Sequence, residues 1–176
     1  NRIYKTNVLK ECKAILPSNK ACFRLPGTDG NEKMSKSIGN CIYLSDDSAT
    51  IKKKVNSIVT FPREITAPGI LKDNVLFIYL DAFCTDDSFK LFYPDFKDLD
   101  ELKQTYQKGG IGDGKIKQFL FNVLDHELSP IRERREKFTQ NKDKLMEILK
   151  EGTKKANEDA DQTLHEVKEA MKINYF

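Results

Sequence analysis

After Gly112-Asp113-Gly114, the residues Ile116, Phe119, Leu120, Val123, Leu124, Leu128 and Ile131 recur at steps of three and four. Apolar residues at that spacing share one side of an α-helix, and such a stripe has to be covered by other elements. Asp113 is placed to cap this helix, and Pro130 inside the pattern is expected to kink or divide it. A second stripe, from about Lys142, runs through Leu145, Ile148, Leu149, Gly152, Ala156, Ala160, Leu164, Val167 and Met171. Its small central residues predict close approach of another helix. Leu99, Leu102 and Tyr106 share a helical face that Gly109-Gly110 ends. Val75–Leu80 is apolar all round and continues to Phe83, which predicts a buried helix capped by Asp73 or Asn74. Asp86 to Leu99 reads as an irregular acidic and aromatic loop.

The first third has a different texture. Residues 1–20 carry a weak helical pattern through Val8, Cys12 and Ile15. Ala21–Leu25, ahead of Pro26-Gly27, reads as a short strand, and Cys41–Leu44 is a second short apolar run. Ser45-Asp46-Asp47-Ser48 offers caps for a helix from about Ala49 to Ile58, with Ile51, Val55 and Ile58 on one face. Lys52, Lys53 and Lys54 cannot all join that face; they read as a solvated run, with a phosphate-facing role left open. Two prolines and a glycine between residues 60 and 73 mark a boundary. The expected fold is therefore mainly α. Residues 1–60 read as the C-terminal end of an α/β domain and residues 61–176 as a helical bundle whose last helix packs back on the first part.

With 11 Phe and 6 Tyr, the chain can bury a core even though 32% of its 176 residues are charged. A net charge of +3 singles out no partner. No run of about 18 apolar residues occurs, so no membrane span is expected. The start, Asn-Arg-Ile-Tyr-Lys, has neither an initiator Met nor an apolar signal region, which reads as a piece of something longer. Cys12, Cys22, Cys41 and Cys84 form no C-x-x-C pair and only His126 and His165 are available, so no metal site is expected. Unpaired thiols suit a reducing cytoplasm.

The densest chemistry lies in Lys33-Met34-Ser35-Lys36-Ser37, inside a turn-rich stretch from Leu25 to Asn40. Two ammoniums three residues apart can point the same way in a turn. Compact charges on flexible stems suit a ligand whose charge moves during reaction, such as a departing pyrophosphate. Ser35 and Ser37 add hydroxyl donors, and Gly39 lets backbone amides approach. Asp29 and Glu32 either orient the lysines or are solvated. For a generic Lys/Ser loop, a surface segment without a ligand is the plainer reading.

The string matches, at every position, the KMSKS motif of class I aminoacyl-tRNA synthetases. A chance match with this composition is on the order of one in several thousand. Leu25-Pro26-Gly27-Thr28-Asp29-Gly30 before it, Ser37-Ile38-Gly39-Asn40 after it, and Ile42–Asp46 resemble the tryptophanyl and tyrosyl branch. Val59-Thr60, Ala67-Pro68-Gly69-Ile70, Tyr106–Asp113, Pro130–Arg135 and Glu151–Ala156 resemble the tryptophanyl enzymes, in their expected order. The resemblance implies the end of a Rossmann-like catalytic domain followed by a bundle of the anticodon-binding type. It implies that the loop binds ATP, with Mg2+ carried on the nucleotide, and stabilises pyrophosphate while the amino acid carboxylate attacks. Lys36 would make the main transition-state contact, Lys33, Ser35 and Ser37 would assist alongside Met34, and Leu25 would border the adenine.

The same resemblance implies tRNA(Trp) as partner and a homodimeric, cytoplasmic parent that charges tRNA with tryptophan. Candidate tRNA contacts are Lys115, Lys117, Arg132, Arg134 and Arg135, since arginines reach phosphates and stack on unpaired bases. Glu133 and Glu136 are interleaved among them, so an ordinary exposed helix face is the competing reading. Phe61 stands where the family usually carries Asp after Val-Thr, which leaves a hinge contact without its carboxylate. Nothing resembles the H-I-G-H segment, and the family's tryptophan pocket lies upstream of the lysine loop. The chain is therefore expected to hold one wall of an active site and to be inactive alone. The alternatives are a tyrosyl enzyme and a non-catalytic helical RNA-binding or interaction module.

Overall fold

The computed structural model describes residues 1–31 and 33–175. Its helices are α1 Ser48–Asn56, α2 Val75–Phe83, α3 Asp86–Phe92, α4 Leu99–Lys108, α5 Asp113–Thr139 and α6 Lys142–Met171, preceded by a 3-10 turn at Lys20–Cys22. The fold is mainly α, as the periodicities predict. By contacts the chain divides into two compact units, Leu16–Arg135 and the pair formed by Asn1–Ile15 with the chain from Glu136 onward.

In the larger unit α5 is the axis. Ile116, Phe119, Leu120, Val123, Leu124 and Leu128 are buried along it, as their spacing requires. Against this stripe lie Ile51 and Val55 of α1, five residues of α2, Phe89 of α3, and Leu102 and Tyr106 of α4. Burying each such side chain contributes about 1.5–3 kcal/mol, so this stripe is the main reason the elements gather here. Asn74 caps α2, its side chain accepting from the Leu76 N–H, and Asp47 caps α1 by accepting from the Thr50 N–H at 2.7 Å. Lys54 pairs with Asp46 and lies 4.5 Å from the Tyr43 ring, while Lys52 lies 5.5 Å from the Phe121 ring. Two of the three consecutive lysines thus lie against aromatic rings of this unit.

Several expectations are overturned. The stretch read as a loop from Asp86 contains α3; the Thr85 N–H donates to Ser88 Oγ at 3.1 Å, and Phe89 stacks on Phe119 with centroids 4.8 Å apart. Asp113 is the first residue of α5, and its carboxylate is turned to Tyr106 and Arg63. Pro130 does not divide α5. It is exposed, and buried Leu128 and half-buried Ile131 on either side keep the stripe against the core. No strand occurs among the described residues; Ala21 and Cys22 end the 3-10 turn, and residues 23–25 and Cys41–Leu44 are irregular. A strand needs a neighbour to take its alternating N–H and C=O groups, and no second strand lies beside either run.

In the smaller unit, residues 1–15 are irregular rather than helical, and Cys12 and Ile15 of the weak pattern are exposed. Asn1–Leu9 lines a pocket of about 390 Å³ together with Val167, Ala170 and Met171 of α6. The α6 helix forms over its whole expected length, with Asn141 capping it by accepting from the Lys144 N–H at 2.9 Å. None of its residues is buried, and Leu149 is 59% exposed, so the expected covering helix is not there. Within this unit there is too little chain to cover a thirty-residue stripe.

Candidate functional site

The lysine loop is an irregular excursion from Leu25 to Asn40, folded back on itself by backbone bonds. The Met34 N–H donates to Leu25 O at 3.3 Å, the Gly27 N–H to Asn31 O at 2.9 Å, and the Thr28 N–H to Asn40 O at 2.9 Å. Gly39 at φ 77° closes the turn after Lys36, its N–H donating to Ser35 O at 3.1 Å. The loop is tied to the helices at two points. Tyr79 of α2 donates its hydroxyl to Pro26 O at 2.8 Å, and the Val59 N–H donates to Thr28 O at 3.2 Å.

At the centre of the loop is Asn40, 4% exposed. Its amide oxygen accepts from the Ser35 N–H at 2.7 Å, and its amide nitrogen donates to Asp29 Oδ1 at 2.9 Å and to Lys33 O at 3.3 Å. The Asp29 carboxylate also accepts from the Asn31 backbone and side chain. The bond from Asn40, helped by those from Asn31, holds the Asp29 carboxyl below its usual pKa although burial pushes the other way. Asp29 is therefore engaged by amides and does not pair with the lysines. Glu32, the other acid in this stretch, lies outside the described residues. Sequence reading noted Asn40 only as a flank of the motif. Gly39-Asn40 is a local turn signal, but neither the burial of Asn40 nor its partners could be named without the fold.

Lys33, Lys36 and Ser37 are exposed; Met34, Ser35 and Leu25 are half-buried. Ser35 Oγ lies 2.8 Å from Ser37 Oγ. The ion pairs among the described residues involve neither Lys33 nor Lys36. Met34 and Leu25 instead face an apolar pocket of about 210 Å³ that Ile42, Leu44, Tyr79 and Phe83 share with Leu124, Glu127 and Leu128. The loop is thus two-sided, with an apolar face on the helical core and two ammoniums in solvent. Mobile ammoniums beside hydroxyl donors can gather the oxygens of a polyphosphate. These groups fit phosphate oxygens rather than a divalent cation, since the loop's described carboxylate, Asp29, is already held by amides.

The candidate tRNA contacts separate into two groups. Lys117 is half-buried and its Nζ donates to Asn56 O and Ile58 O, each at 2.8 Å, where α1 ends. Burial lowers its pKa, against a smaller opposing effect of Asp113. Arg132 pairs with Asp125 at 2.6 Å and is 21% exposed. Lys115, Arg134 and Arg135 are exposed. Lys115 stands in the first turn of α5 and the arginines near its end, so the five do not form one patch.

A second cluster, which sequence reading missed, fastens the proline-rich stretch to the turn between α4 and α5. Arg63 donates to Ala67 O at 2.8 Å, to Ile111 O at 2.5 Å and to Asp113 Oδ1 at 3.2 Å. Its guanidinium carbon sits 4.3 Å from the centre of the Tyr106 ring. Tyr106 donates its hydroxyl to Asp113 at 2.8 Å. Burial alone would lower the Arg63 pKa, but Tyr106 and Asp113 outweigh it and the pKa is raised. Gly69 is required here, because a Cβ would stand 2.2 Å from the Tyr106 ring.

Comparison with known proteins gives the family. Residues 1–129 match the family described as tRNA synthetases class I (W and Y). The whole chain is 52% identical to the tryptophan–tRNA ligase of Lactococcus lactis subsp. lactis (strain IL1403), covering 50% of that protein. It is 48% identical to that of Streptococcus mutans serotype c, again over 50% of its length. The chain thus spans about half the length of the curated relatives it matches. Among solved structures, the tryptophanyl-tRNA synthetase of Campylobacter jejuni, complexed with ADP and tryptophan, superposes with a TM-score of 0.67. That match is 29% identical and covers 84% of this chain and 43% of that one. Because the family match takes in the lysine loop, its two tethers and most of α5, well over half of the residues, this chain belongs to the class I tRNA synthetases of the W and Y group.

Proposed function

We propose that these residues form part of a tryptophan–tRNA ligase. That enzyme activates tryptophan with ATP to give tryptophanyl-adenylate and pyrophosphate, then transfers the amino acid to tRNA(Trp). The observation that carries the reading is the loop itself: Lys33 and Lys36 stand exposed, with no ion pair among the described residues, on a segment whose backbone is held from beneath. When the tryptophan carboxylate attacks the α-phosphorus, the bond to the bridging oxygen breaks and negative charge builds on the leaving pyrophosphate. Lys36 meets that charge, and Lys33, Ser35 and Ser37 donate to the same oxygens. Met34 and Leu25 seat the loop, and Leu25 borders the adenine. Mg2+ enters on the phosphates and neutralises part of their charge.

Residues 1–60 supply the C-terminal part of the catalytic domain. Residues 61–176 supply the helical domain that meets the anticodon arm through Lys115, Arg134 and Arg135. The H-I-G-H half of the ATP site and the tryptophan pocket belong to other parts of a homodimeric, cytoplasmic enzyme, and residues 1–176 do not catalyse without them. The names of both relatives favour tryptophan over tyrosine.

Tryptophan-dependent ATP–pyrophosphate exchange by the full-length protein is the test. Lys36→Ala should lower the exchange rate by about a hundredfold or more, the usual cost of removing one donor from a developing anion, with tryptophan binding intact. Wild-type exchange in that variant would reject the role given to Lys36, and exchange driven by tyrosine would reject the substrate.

A further inference from the structure

We infer that Asn40 is the positioning residue of the lysine loop, the side chain that sets where Lys33 and Lys36 stand when pyrophosphate leaves. The inference rests on the proposed reading of the loop, but its geometry does not. Asn40 grips the backbone at both sides of Met34: it donates to Lys33 O and accepts from the Ser35 N–H. Lys36 is the next residue along. One planar amide therefore holds the two peptide groups that flank Met34, between the lysines, and a primary amide can donate and accept in one plane as this requires.

The surroundings are shaped to seat that amide. Gly27 leaves the necessary space, since a Cβ there would stand 2.1 Å from Asn40 Nδ2 and 2.6 Å from Cγ. Thr28 holds the Asn40 carbonyl with both its N–H, at 2.9 Å, and its hydroxyl, at 3.3 Å. Asp29 takes the remaining donor at 2.9 Å. The lysine side chains meanwhile stay free to move, because the order lies in the backbone beneath them. A catalytic cation misplaced by about 1 Å loses up to about a hundredfold in rate, so a residue that touches no substrate can still set kcat.

The experiment uses the full-length protein and two readouts, tryptophan-dependent pyrophosphate exchange and the rate of tryptic cleavage after Lys33 and Lys36. Asn40→Asp keeps the acceptor for Ser35 but sets a carboxylate against Asp29. It should lower the exchange kcat about tenfold or more with the KM for tryptophan unchanged, and speed cleavage in the loop. The swapped pair Asp29→Asn/Asn40→Asp restores a donor facing a carboxylate but no donor to Lys33 O, so it should recover part of both losses and not all, a rescue that general destabilisation would not allow. Gly27→Ala, which displaces Asn40 without altering it, should reproduce the losses. If Asn40→Asp does not fold, the swapped pair and Gly27→Ala decide. Wild-type exchange and cleavage in Asn40→Asp, or a swapped pair no better than the single variant, overturns the inference. Absence of exchange in the wild type, with the cleavage pattern as expected, rejects the proposed reaction and leaves Asn40 as the organiser of the loop.

Discussion

The lysine loop and the Arg63 cluster are made of similar material with opposite results. Both are irregular, proline- and glycine-containing stretches of the larger unit, and in each a glycine makes room for one side chain: Gly27 for Asn40, Gly69 for Tyr106. Around Arg63 the cation is taken up by the fold, with three carbonyls, a carboxylate and an aromatic ring around it. In the lysine loop a neutral amide does the holding, and the cations are left to solvent. An arginine whose two terminal nitrogens are both engaged stabilises one geometry. A lysine carried on an ordered backbone, but itself unpartnered, is available to a ligand. Lys117 and Arg132 fall on the structural side of that line, and Lys115 and Arg134 on the other.

The comparison breaks most sharply at Asp113. Its side chain and that of Arg63 are 16% and 11% exposed, so Asp113→Ala leaves a guanidinium poorly compensated in a half-closed site. A loss of about 3 kcal/mol in urea unfolding is expected. A change near zero would show that Arg63 is not held by its partners. Next comes Gly69→Ala, which forces a methyl group into the Tyr106 ring and should destabilise by about 2 kcal/mol. Lys117→Met removes the donor from two carbonyls at the end of α1, for about 1 kcal/mol. Filter binding sharpens that result: tRNA affinity should fall in Lys115→Ala and Arg134→Ala, and stay within twofold of wild type in Lys117→Met. The smallest effect is the most telling. Lys36→Ala should leave the urea midpoint where it is, although it removes the most activity, because Lys36 makes no ion pair within the described residues.

Where a helix is long or wholly apolar, local pattern suffices. The stripe from Ile116 to Leu128 is buried as its spacing demands, and Asn74 and Asp47 cap the helices their positions announce. The misses share a cause. α3 has seven residues, too few to display a period, and Phe89 is fixed by Phe119 thirty residues later. Ala21–Leu25 and Cys41–Leu44 have strand-like composition, but a strand is completed only by a neighbour. Asp113 sits where a cap belongs, yet Tyr106 and Arg63 take its carboxylate, and that competition depends on residues seven and fifty positions away.

The chemistry of the lysine loop was legible as soon as the residues were read in order, since two ammoniums and two hydroxyls within five positions need no fold to be recognised. The sequence likewise determined that most of the chain is helical and which face of α5 is buried. Tertiary structure decided which cations remain available. Lys117 and Lys115 are indistinguishable as residues on one helix, and only the carbonyls at the end of α1 turn one of them inward. It also decided that Asn40, rather than a carboxylate, organises the loop. A side chain's hydrogen-bonding capacity is a property of its type, but the partners that fill it are brought by the fold.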